Sequence, residues 1–182
     1  MMKSAKENIP LLFLCGMMGT GKSAVGRELA TLLKRPFYDL DKLIEKREGL
    51  SLPELFEKKG EAYFRKAEHD VLMNFITKNN GVLALGGGTL QNQQITDKVK
   101  SSGLLIYINT ALPVLIERLQ RNDRRPLIRG LSARQLEEKI VQLSAEREIF
   151  YKQAHISVGG SSNPAAYTAG TILSEIDNLT SE

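Results

Sequence analysis

The residues best suited to chemistry form a short glycine-rich segment that follows an apolar run. Gly16-Met17-Met18-Gly19-Thr20-Gly21-Lys22-Ser23 has the spacing of Gly, four residues, then Gly-Lys-Ser, which is typical of a phosphate-binding loop. Glycines allow successive backbone N–H groups to turn inward and form an anion site at a helix N-terminus. Lys22 would then reach the β- and γ-phosphates, and the Ser23 hydroxyl would bind Mg²⁺. The segment predicts a nucleoside triphosphate site; the alternative is a turn that only caps a helix.

Two carboxylates, Asp39 and Asp41, follow the second apolar run of the chain. If the strand continued through them, their side chains would point to the same side. We assign Mg²⁺ contact to Asp39, and to Asp41 the role of accepting a hydrogen bond from an attacking hydroxyl. The alternative for Asp41 is that it N-caps the helix that follows, and the two roles are compatible.

Two further features indicate where a second substrate would bind. Three glycines, Gly86 to Gly88, follow the third apolar run, where exposed backbone N–H groups could approach a ligand. A flexible turn is the alternative. Arg65 lies on a predicted helix with Glu68 three residues later, so Glu68 can hold the Arg65 guanidinium by a contact along the helix. An arginine oriented in this way can bind the carboxylate of a ligand. A surface ion pair is the alternative for this pair.

The elements that must position these residues alternate between strand-length apolar runs and helical patterns, which is typical of an α/β fold with a mostly parallel sheet. Ligands bind such sheets beyond the carboxyl ends of the strands, so the loops 16–21, 39–41, 86–88 and 109–111 should share one edge. The predicted strands are Leu11–Cys15, Pro36–Leu40, Val82–Leu85, Leu104–Ile108 and His155–Val158. The predicted helices cover 22–34, 41–48, 60–78, 95–101, 112–121, 132–153 and 164–179, with Ser132 as an N-cap and Pro164 in a first turn.

Composition excludes several classes of protein. The 182 residues are 42% hydrophobic and include one cysteine and two histidines, which predicts a single domain without a disulfide scaffold or a His/Cys metal cluster. The net charge of +4 is concentrated in segment 118–134, which holds six arginines and one acid, and we expect its anion to be a bound nucleotide triphosphate. The apolar run 11–15 is too short for a signal peptide or a membrane span, so we expect a cytoplasmic protein.

The phosphate loop, the Asp39/Asp41 pair, the segment Gly60-Glu-Ala-Tyr-Phe-Arg65 and the glycine triplet, in this order, resemble the shikimate kinases over nearly the whole chain. The resemblance implies a three-layer α/β sandwich of the P-loop, nucleoside-monophosphate-kinase-like type, with a five-stranded parallel sheet of order 2-3-1-4-5. It implies one domain, 1–182, with a shikimate-binding subdomain at about 41–80 and a mobile lid at about 121–134. It also implies ATP-dependent phosphorylation of the shikimate 3-hydroxyl in aromatic amino-acid biosynthesis, with Mg²⁺, by a monomer that binds neither nucleic acid nor membrane.

The resemblance also implies roles for individual residues. Asp41 would hold the acceptor hydroxyl, and Arg65 and Arg147 the shikimate carboxylate. Arg125, in Arg125-Pro-Leu-Ile128, would reach the transferring phosphate, so the catalytic residues would be Lys22, Asp41 and Arg125. The metal would be held by Ser23 and Asp39. The nucleotide-binding set is Gly16, Gly19, Thr20, Gly21, Lys22, Ser23, Ala24, Arg118, Arg125 and Asn163, with Arg118 against adenine. The substrate-binding set is Asp41, Phe56, Phe64, Arg65, Glu68, Gly86, Gly87, Gly88 and Arg147.

The chain departs from the family pattern at two places. Ile149 stands where the family usually has proline, and Gly159-Gly160 where an Asp-Thr pair often precedes the adenine-contacting loop. The nearest rival is a kinase of the same fold that phosphorylates another small acid such as gluconate, and the glycine triplet argues against it. A nucleotide-dependent switch or nucleic-acid-binding module is a rival of another class. Aromatic residues do not interleave with the arginines of segment 118–134, so this rival lacks stacking groups.

Overall fold

A computed structural model describes residues 10–121, 126–160 and 163–180 of the chain. Its sheet is built from β1 (Leu11–Cys15), β2 (Phe37–Asp39), β3 (Val82–Ala84), β4 (Gly103–Asn109) and β5 (Ile156–Gly159). All neighbouring strands are parallel, and their order is β2-β3-β1-β4-β5. The predicted sheet order and α/β class are therefore confirmed. Each predicted strand differs from the observed one by a single residue at most at either end.

Helices cover both faces of this sheet and make it the middle of three layers. Along β1 the side chains alternate between two cores: Phe13 faces one with the helices Leu40–Glu48, Leu52–Lys78 and Ala133–Tyr151, whereas Leu12 and Leu14 face the other with the helices Lys22–Leu33 and Ala165–Thr180. Every residue of β1 is buried, as its continuous apolar sequence predicts for a strand covered on both sides. The helices are α1 (Lys22–Leu33), α2 (Leu40–Glu48), α3 (Leu52–Lys78), α4 (Gln93–Ser102), α5 (Leu112–Gln120), α6 (Ala133–Tyr151) and α7 (Ala165–Thr180), with a 3₁₀ turn at Pro126–Ile128.

The prediction for α3 is wrong at its N-terminus, because the helix starts at Leu52 and not at Gly60. Ser51 caps it and forms a capping box with Glu54, and proline stands in the first turn. At Gly60 the backbone leaves the helical region (φ 80°, ψ 171°), so two helical segments meet at a kink. The Ser-x-x-Glu pattern at 51–54 is the signal that predicts the first segment. The glycine interrupts the helical period and divides the pattern.

The alternative interpretation of Asp41 as the N-cap of α2 is wrong, because Asp39 is the cap. Strand β2 ends at Asp39, and α2 begins at the next residue, with Asp39 as its N-cap. Asp39 Oδ1 accepts a hydrogen bond from the backbone N–H of Asp41 at 3.1 Å. The strand therefore does not continue through Asp41, and the equal orientation expected for the two carboxylates does not arise from strand geometry. Asp41 lies instead in the first turn of α2.

The C-terminal helices begin where capping residues predict. Ser132 caps α6, with its Oγ accepting from the backbone N–H of Gln135 and the Gln135 side chain accepting from the Ser132 backbone N–H. Pro164 directly precedes α7, and its carbonyl accepts from the backbone N–H groups of Tyr167 and Thr168. Across the described ranges, no helix combines the length and the apolar character needed to cross a membrane.

Candidate active site

The phosphate loop connects β1 to α1, and its backbone depends on glycine at specific positions. Gly19 and Gly21 have positive φ angles of 84° and 90°, which strain residues that carry a Cβ. At Gly16, a Cβ would lie 2.6 Å from the carbonyl oxygen of Ile108, so the loop packs directly on β4. Gly21 is also the residue that precedes α1, so the loop ends at a helix N-terminus, as an anion site requires.

Two polar groups of this loop are suited to phosphate. The Lys22 ammonium is buried and donates to the carbonyl oxygens of Gly16 and Met17 at 2.7 and 2.9 Å, which holds it over the loop. Thr20 Oγ1 is buried and has no hydrogen-bond partner among the described residues. A buried hydroxyl without a partner is costly, and a phosphate oxygen would satisfy it. The loop therefore fits the phosphate groups of a nucleotide.

The Ser23 hydroxyl lies next to the carboxylate predicted to share a metal ion with it. Ser23 Oγ donates to Asp39 Oδ2 at 2.6 Å, while Asp39 Oδ1 caps α2, so the two oxygens of Asp39 have separate tasks. Both residues line a cavity of about 820 Å³ above the loop. Oxygen ligands from few protein groups suit Mg²⁺, which keeps several waters. The described residues hold no cluster of three or more metal-ligating His, Cys, Asp or Glu side chains.

A second cavity, of about 620 Å³, adjoins the other side of the loop and lies beside α7. Arg118 of α5 lines both this cavity and the phosphate cavity, and its Nη1 donates to the Gly19 carbonyl at 3.0 Å. Asn163 and Gly160 line it from the loop that follows β5. The position next to the phosphate cavity suits the base of a nucleotide. Thr168 of α7 also lines this cavity and was not singled out in the sequence.

A third cavity, of about 440 Å³, collects the residues predicted to bind the second substrate. Asp41, Gly86 and Gly87 line both this cavity and the phosphate cavity, so the two spaces meet at these three residues. An acceptor hydroxyl held there would lie beside a terminal phosphate. The full lining is Met18, Asp41, Leu52, Phe56, Phe64, Arg65, Glu68, Gly86, Gly87, Gly88, Leu127 and Arg147. It includes every residue of the predicted substrate-binding set.

The Arg65 side chain is held in place by a hydrogen-bonded row. Arg65 Nη1 donates to Glu68 Oε2 at 2.8 Å, and Glu68 Oε1 accepts from the Thr89 hydroxyl at 2.6 Å. Glu68 and Thr89 are both about 1% exposed, and the Arg65 side chain is 20% exposed, so this ion pair is largely buried and does not lie on the open surface. Burial raises the pKa of Glu68, while the positive charge of Arg65 and the hydrogen bond from Thr89 oppose that shift.

The outer two glycines of the triplet leave room for the side chains around them. A Cβ at Gly88 would lie 2.8 Å from both terminal nitrogens of Arg65, and one at Gly86 would lie 2.8 Å from Glu68 Oε1. No positive φ angle occurs in the triplet. The sequence indicates two reasons for these glycines, close approach to a ligand or a flexible turn. The structure adds a third, because the glycines also leave room for the Arg65–Glu68 pair. The flexible turn is the weaker interpretation.

Arg147, on α6, lines the substrate cavity next to the glycine triplet. Its Nη1 atom is buried and forms no hydrogen bond within the part of the chain that the structure describes. A desolvated guanidinium nitrogen without an acceptor is unfavourable and suits an anionic ligand group. Phe56 and Phe64 lie on the two segments of α3, with ring centroids 4.6 Å apart. Both rings line the substrate cavity and give it an apolar wall.

Some predicted residues lie outside this picture, and some lining residues were missed. Arg125 falls outside the described residues. Of the predicted lid, the 3₁₀ turn reaches the cavity through Leu127. Met18 and Leu52 line the substrate cavity without having been predicted to do so. Apolar lining residues carry no chemical signature in a sequence, since they resemble core residues. Cys15 is buried, and burial raises its pKa to about 12, which supports a packing role.

Comparisons with known proteins agree with this geometry. A family model described as shikimate kinase matches residues 18–177. The shikimate kinase of Aquifex aeolicus is 42% identical over 90% of this chain and 94% of its own length. The crystal structure of the Acinetobacter baumannii shikimate kinase in complex with shikimate has a TM-score of 0.90 and 35% identity, covering 96% of this chain and 97% of that one.

The solved structures with a similar fold also include a kinase named for the rival substrate, gluconate. A gluconokinase from Sinorhizobium meliloti has a TM-score of 0.60 and 16% identity, covering 94% of both chains. At that identity the likeness shows a shared fold alone.

Proposed function

Because the chain belongs to the shikimate kinase family and catalyses the ATP-dependent phosphorylation of shikimate in aromatic biosynthesis, we propose that the reaction takes place where Asp41, Gly86 and Gly87 join the two cavities. This junction is the observation that carries the assignment of roles. Phosphoryl transfer requires the acceptor hydroxyl and the terminal phosphate in line and close together. The junction is the place in the described structure where both requirements meet.

On the acceptor side, we assign the shikimate carboxylate to Arg65 and Arg147 and its 3-hydroxyl to Asp41. Arg65 is oriented by Glu68 at 2.8 Å, and the buried Nη1 of Arg147 gains an acceptor. Two guanidinium groups on opposite walls fix the carboxylate, so the ring can place only one edge at the junction. Asp41 accepts the hydrogen bond of the hydroxyl at that edge and orients or deprotonates it.

On the phosphate side, Lys22 and the loop N–H groups bind the β- and γ-phosphates, with Ser23 and Asp39 holding Mg²⁺. The ion, when bound, neutralises negative charge on the phosphates. Arg118 and Asn163 flank the adenine in the cavity beside α7. Arg125, outside the described residues, is assigned to the transferring phosphate on the strength of the family motif alone.

The segment around the 3₁₀ turn is proposed as the lid of the site. Leu127 lines the substrate cavity and Ile128 is buried in the core that α3 and α6 share, so the turn is anchored next to the bound acceptor. Closure of 121–134 over ATP would exclude water and limit hydrolysis without an acceptor. The substrate-binding subdomain corresponds to 41–80, which contains α2 and α3.

The decisive experiment measures ADP release from the purified protein with ATP and Mg²⁺, with and without an acceptor. Shikimate should stimulate ADP release strongly, and gluconate should not. Asp41→Asn should reduce kcat by about 10²-fold to 10⁴-fold, because it removes the group that handles the hydroxyl proton. Asp70→Asn is the matched control, since Asp70 lies on the far part of α3 and lines none of the three cavities described above. Normal turnover by Asp41→Asn would refute the role of Asp41.

We also propose that the protein acts as a cytoplasmic monomer on small molecules and binds neither nucleic acid nor membrane. All groups assigned to catalysis come from a single chain, and ATP and shikimate account for the positive charges assigned above. Light scattering after size exclusion tests the monomer. Cell fractionation tests the location, and titration with RNA at low salt tests the absence of nucleic-acid binding.

A further inference from the structure

Tyr151, the last residue of α6, is a buried polar residue to which neither the sequence nor the roles above give a task. It is 1% exposed, and its ring lies 5.3 Å from that of Tyr107 between ring centroids. A phenylalanine would fill the same space without the cost of burying a hydroxyl. The hydroxyl group therefore calls for a reason beyond packing.

The hydroxyl of Tyr151 has a partner inside the site. It donates a hydrogen bond to the backbone carbonyl of Gly87, the residue at the centre of the glycine triplet and one of the three at the cavity junction. It also lies 3.9 Å from the sulfur of Met17 in the phosphate loop. One side chain thus contacts the walls of both cavities. Burial raises the pKa of the Tyr151 phenol, which keeps the hydroxyl protonated and able to donate at neutral pH.

Arg147 lies four residues before Tyr151 on the same helix, so the two side chains share one face of α6. A Cβ placed on Gly87 would lie 3.7 Å from Arg147 Nη1, which shows how closely the guanidinium approaches the glycine triplet. Nη1 itself has no hydrogen-bond partner in the described structure, while the Arg147 guanidinium lies close enough to the Tyr151 hydroxyl to oppose the rise in the pKa of that phenol. The position of this nitrogen relative to the triplet therefore depends on how the end of α6 is attached.

We infer that Tyr151 is a positioning residue for shikimate binding: its hydrogen bond to Gly87 attaches the end of α6 to the glycine triplet and so holds Arg147 opposite Arg65. The inference rests on the proposed role of Arg147 as a carboxylate ligand. Shikimate would bind to two arginines whose separation is set partly by this one bond. Without it, the end of α6 and the triplet can shift apart, and the carboxylate loses one of its two partners.

The test is Tyr151→Phe with Tyr107→Phe as the matched control. Tyr107 belongs to the same ring pair, but its hydroxyl bonds to the Asn109 side chain at 3.2 Å and not to the glycine triplet. Tyr151→Phe should raise the KM for shikimate about tenfold, with kcat and the KM for ATP changed less than threefold. Tyr107→Phe should leave all three values within twofold of those of the unmodified protein.

A double-mutant cycle identifies the route of the effect. If Tyr151 acts through Arg147, adding Tyr151→Phe to an Arg147→Lys protein should raise the shikimate KM little further. Additive effects, a Tyr151→Phe protein with an unchanged shikimate KM, or an equal rise in Tyr107→Phe would each overturn the inference. A Tyr151→Phe protein that does not fold would overturn it too, because the role would then be structural. Lack of shikimate-dependent ADP release by the unmodified protein would instead refute the proposed function, and the inference with it.

Discussion

Asp39 and Glu68 show how single carboxylates organise this site by positioning other groups. Each uses its two oxygens for different partners: Asp39 accepts from Ser23 and from the start of α2, and Glu68 accepts from Arg65 and Thr89. Two hydrogen bonds of this kind fix the rotamer of the carboxylate and position the groups that carry its partners. The residues that determine binding geometry therefore include some that act by holding other side chains in place.

Thr89 offers a test at this scale. In Thr89→Val, Glu68 loses its hydrogen bond from a neutral donor, so its already raised pKa should rise further and its hold on Arg65 should weaken. The KM for shikimate should increase about tenfold, as expected for loss of a hydrogen bond to a buried charged group. Steady-state kinetics at several pH values measure this, and the loss should be larger at acidic pH.

Thr96→Val serves as the control for Thr89→Val. Thr96 is equally buried, and its hydroxyl donates to the carbonyl of Asn92 within α4, away from the site. It should lose some stability while keeping the shikimate KM of the unmodified protein. If both variants raised the KM equally, general loosening of the fold would explain the effect.

At the scale of elements, one side-chain contact to the backbone supplements the ladder that joins β5 to β4 at the sheet edge. His155 immediately precedes β5, and its Nδ1 accepts from the Leu105 backbone N–H at 2.9 Å, while its own backbone N–H donates to the Leu105 carbonyl at 2.9 Å. Acceptance at Nδ1 requires the neutral ring. Partial desolvation of the ring, and then the charge of Lys100, lower the pKa of His155.

This contact predicts a pH dependence of stability. Because the pKa of His155 is lowered in the folded state, the unfolded chain takes up the proton first as pH falls. The contribution is complete above about pH 6.5, the value of an unperturbed histidine, and decreases as pH falls below it. In His155→Asn, an amide oxygen can replace Nδ1 and does not titrate. Its free energy of unfolding, measured in urea, should therefore fall less between pH 7.5 and 5.5.

Titration of the carboxylates does not affect this comparison, because both proteins contain the same carboxylates. His69→Asn is the control, because the His69 side chain is half exposed on α3. It should follow the pH profile of the unmodified protein. A profile of His155→Asn that matches the unmodified protein would contradict the prediction.

On the scale of the whole molecule, the substrate cavity is closed only when distant parts of the chain come together. Arg65 lies on α3 and Arg147 on α6, and two strands (β3 and β4), two helices (α4 and α5) and the 3₁₀ turn separate α3 from α6 along the chain. Binding of shikimate to both would link the two sides of the site, and a ligand present at 100 times its Kd stabilises a folded protein by about 2.7 kcal/mol. The buried Nη1 of Arg147 destabilises the ligand-free protein, because it lacks an acceptor until a ligand binds. Stability and binding therefore place opposite demands on this residue.

Arg147→Met should separate these two effects. Removing the desolvated charge should leave the free energy of unfolding of the ligand-free protein unchanged or raise it by about 1 kcal/mol. The same change should abolish the stabilisation by shikimate while stabilisation by nucleotide persists. Thermal melts with each ligand measure both. Arg134→Met is the control, since Arg134 is an exposed residue of the same helix that pairs with Glu138. A shikimate-induced shift that survives in Arg147→Met would contradict the assignment.

The sequence by itself determined the sheet, the phosphate loop and the family. Each of these depends on local patterns: apolar runs of strand length, glycines at fixed spacing before Lys22, and short motifs in a fixed order. Local backbone geometry follows from such patterns because the side chains that produce it are neighbours in the chain. Nine of the residues that line the substrate cavity follow from the motif resemblance, whereas Met18, Leu52 and Leu127 do not.

Only the tertiary structure decided why several of these residues are what they are. Asp39 rather than Asp41 caps α2, the glycine triplet makes room for Arg65 and Glu68, and the Tyr151 hydroxyl reaches Gly87. Each depends on contacts between residues far apart in sequence or on where a strand stops, and no local pattern encodes those distances. A buried tyrosine and a buried leucine look alike in a helical pattern, and their difference appears only when the element opposite them is in place.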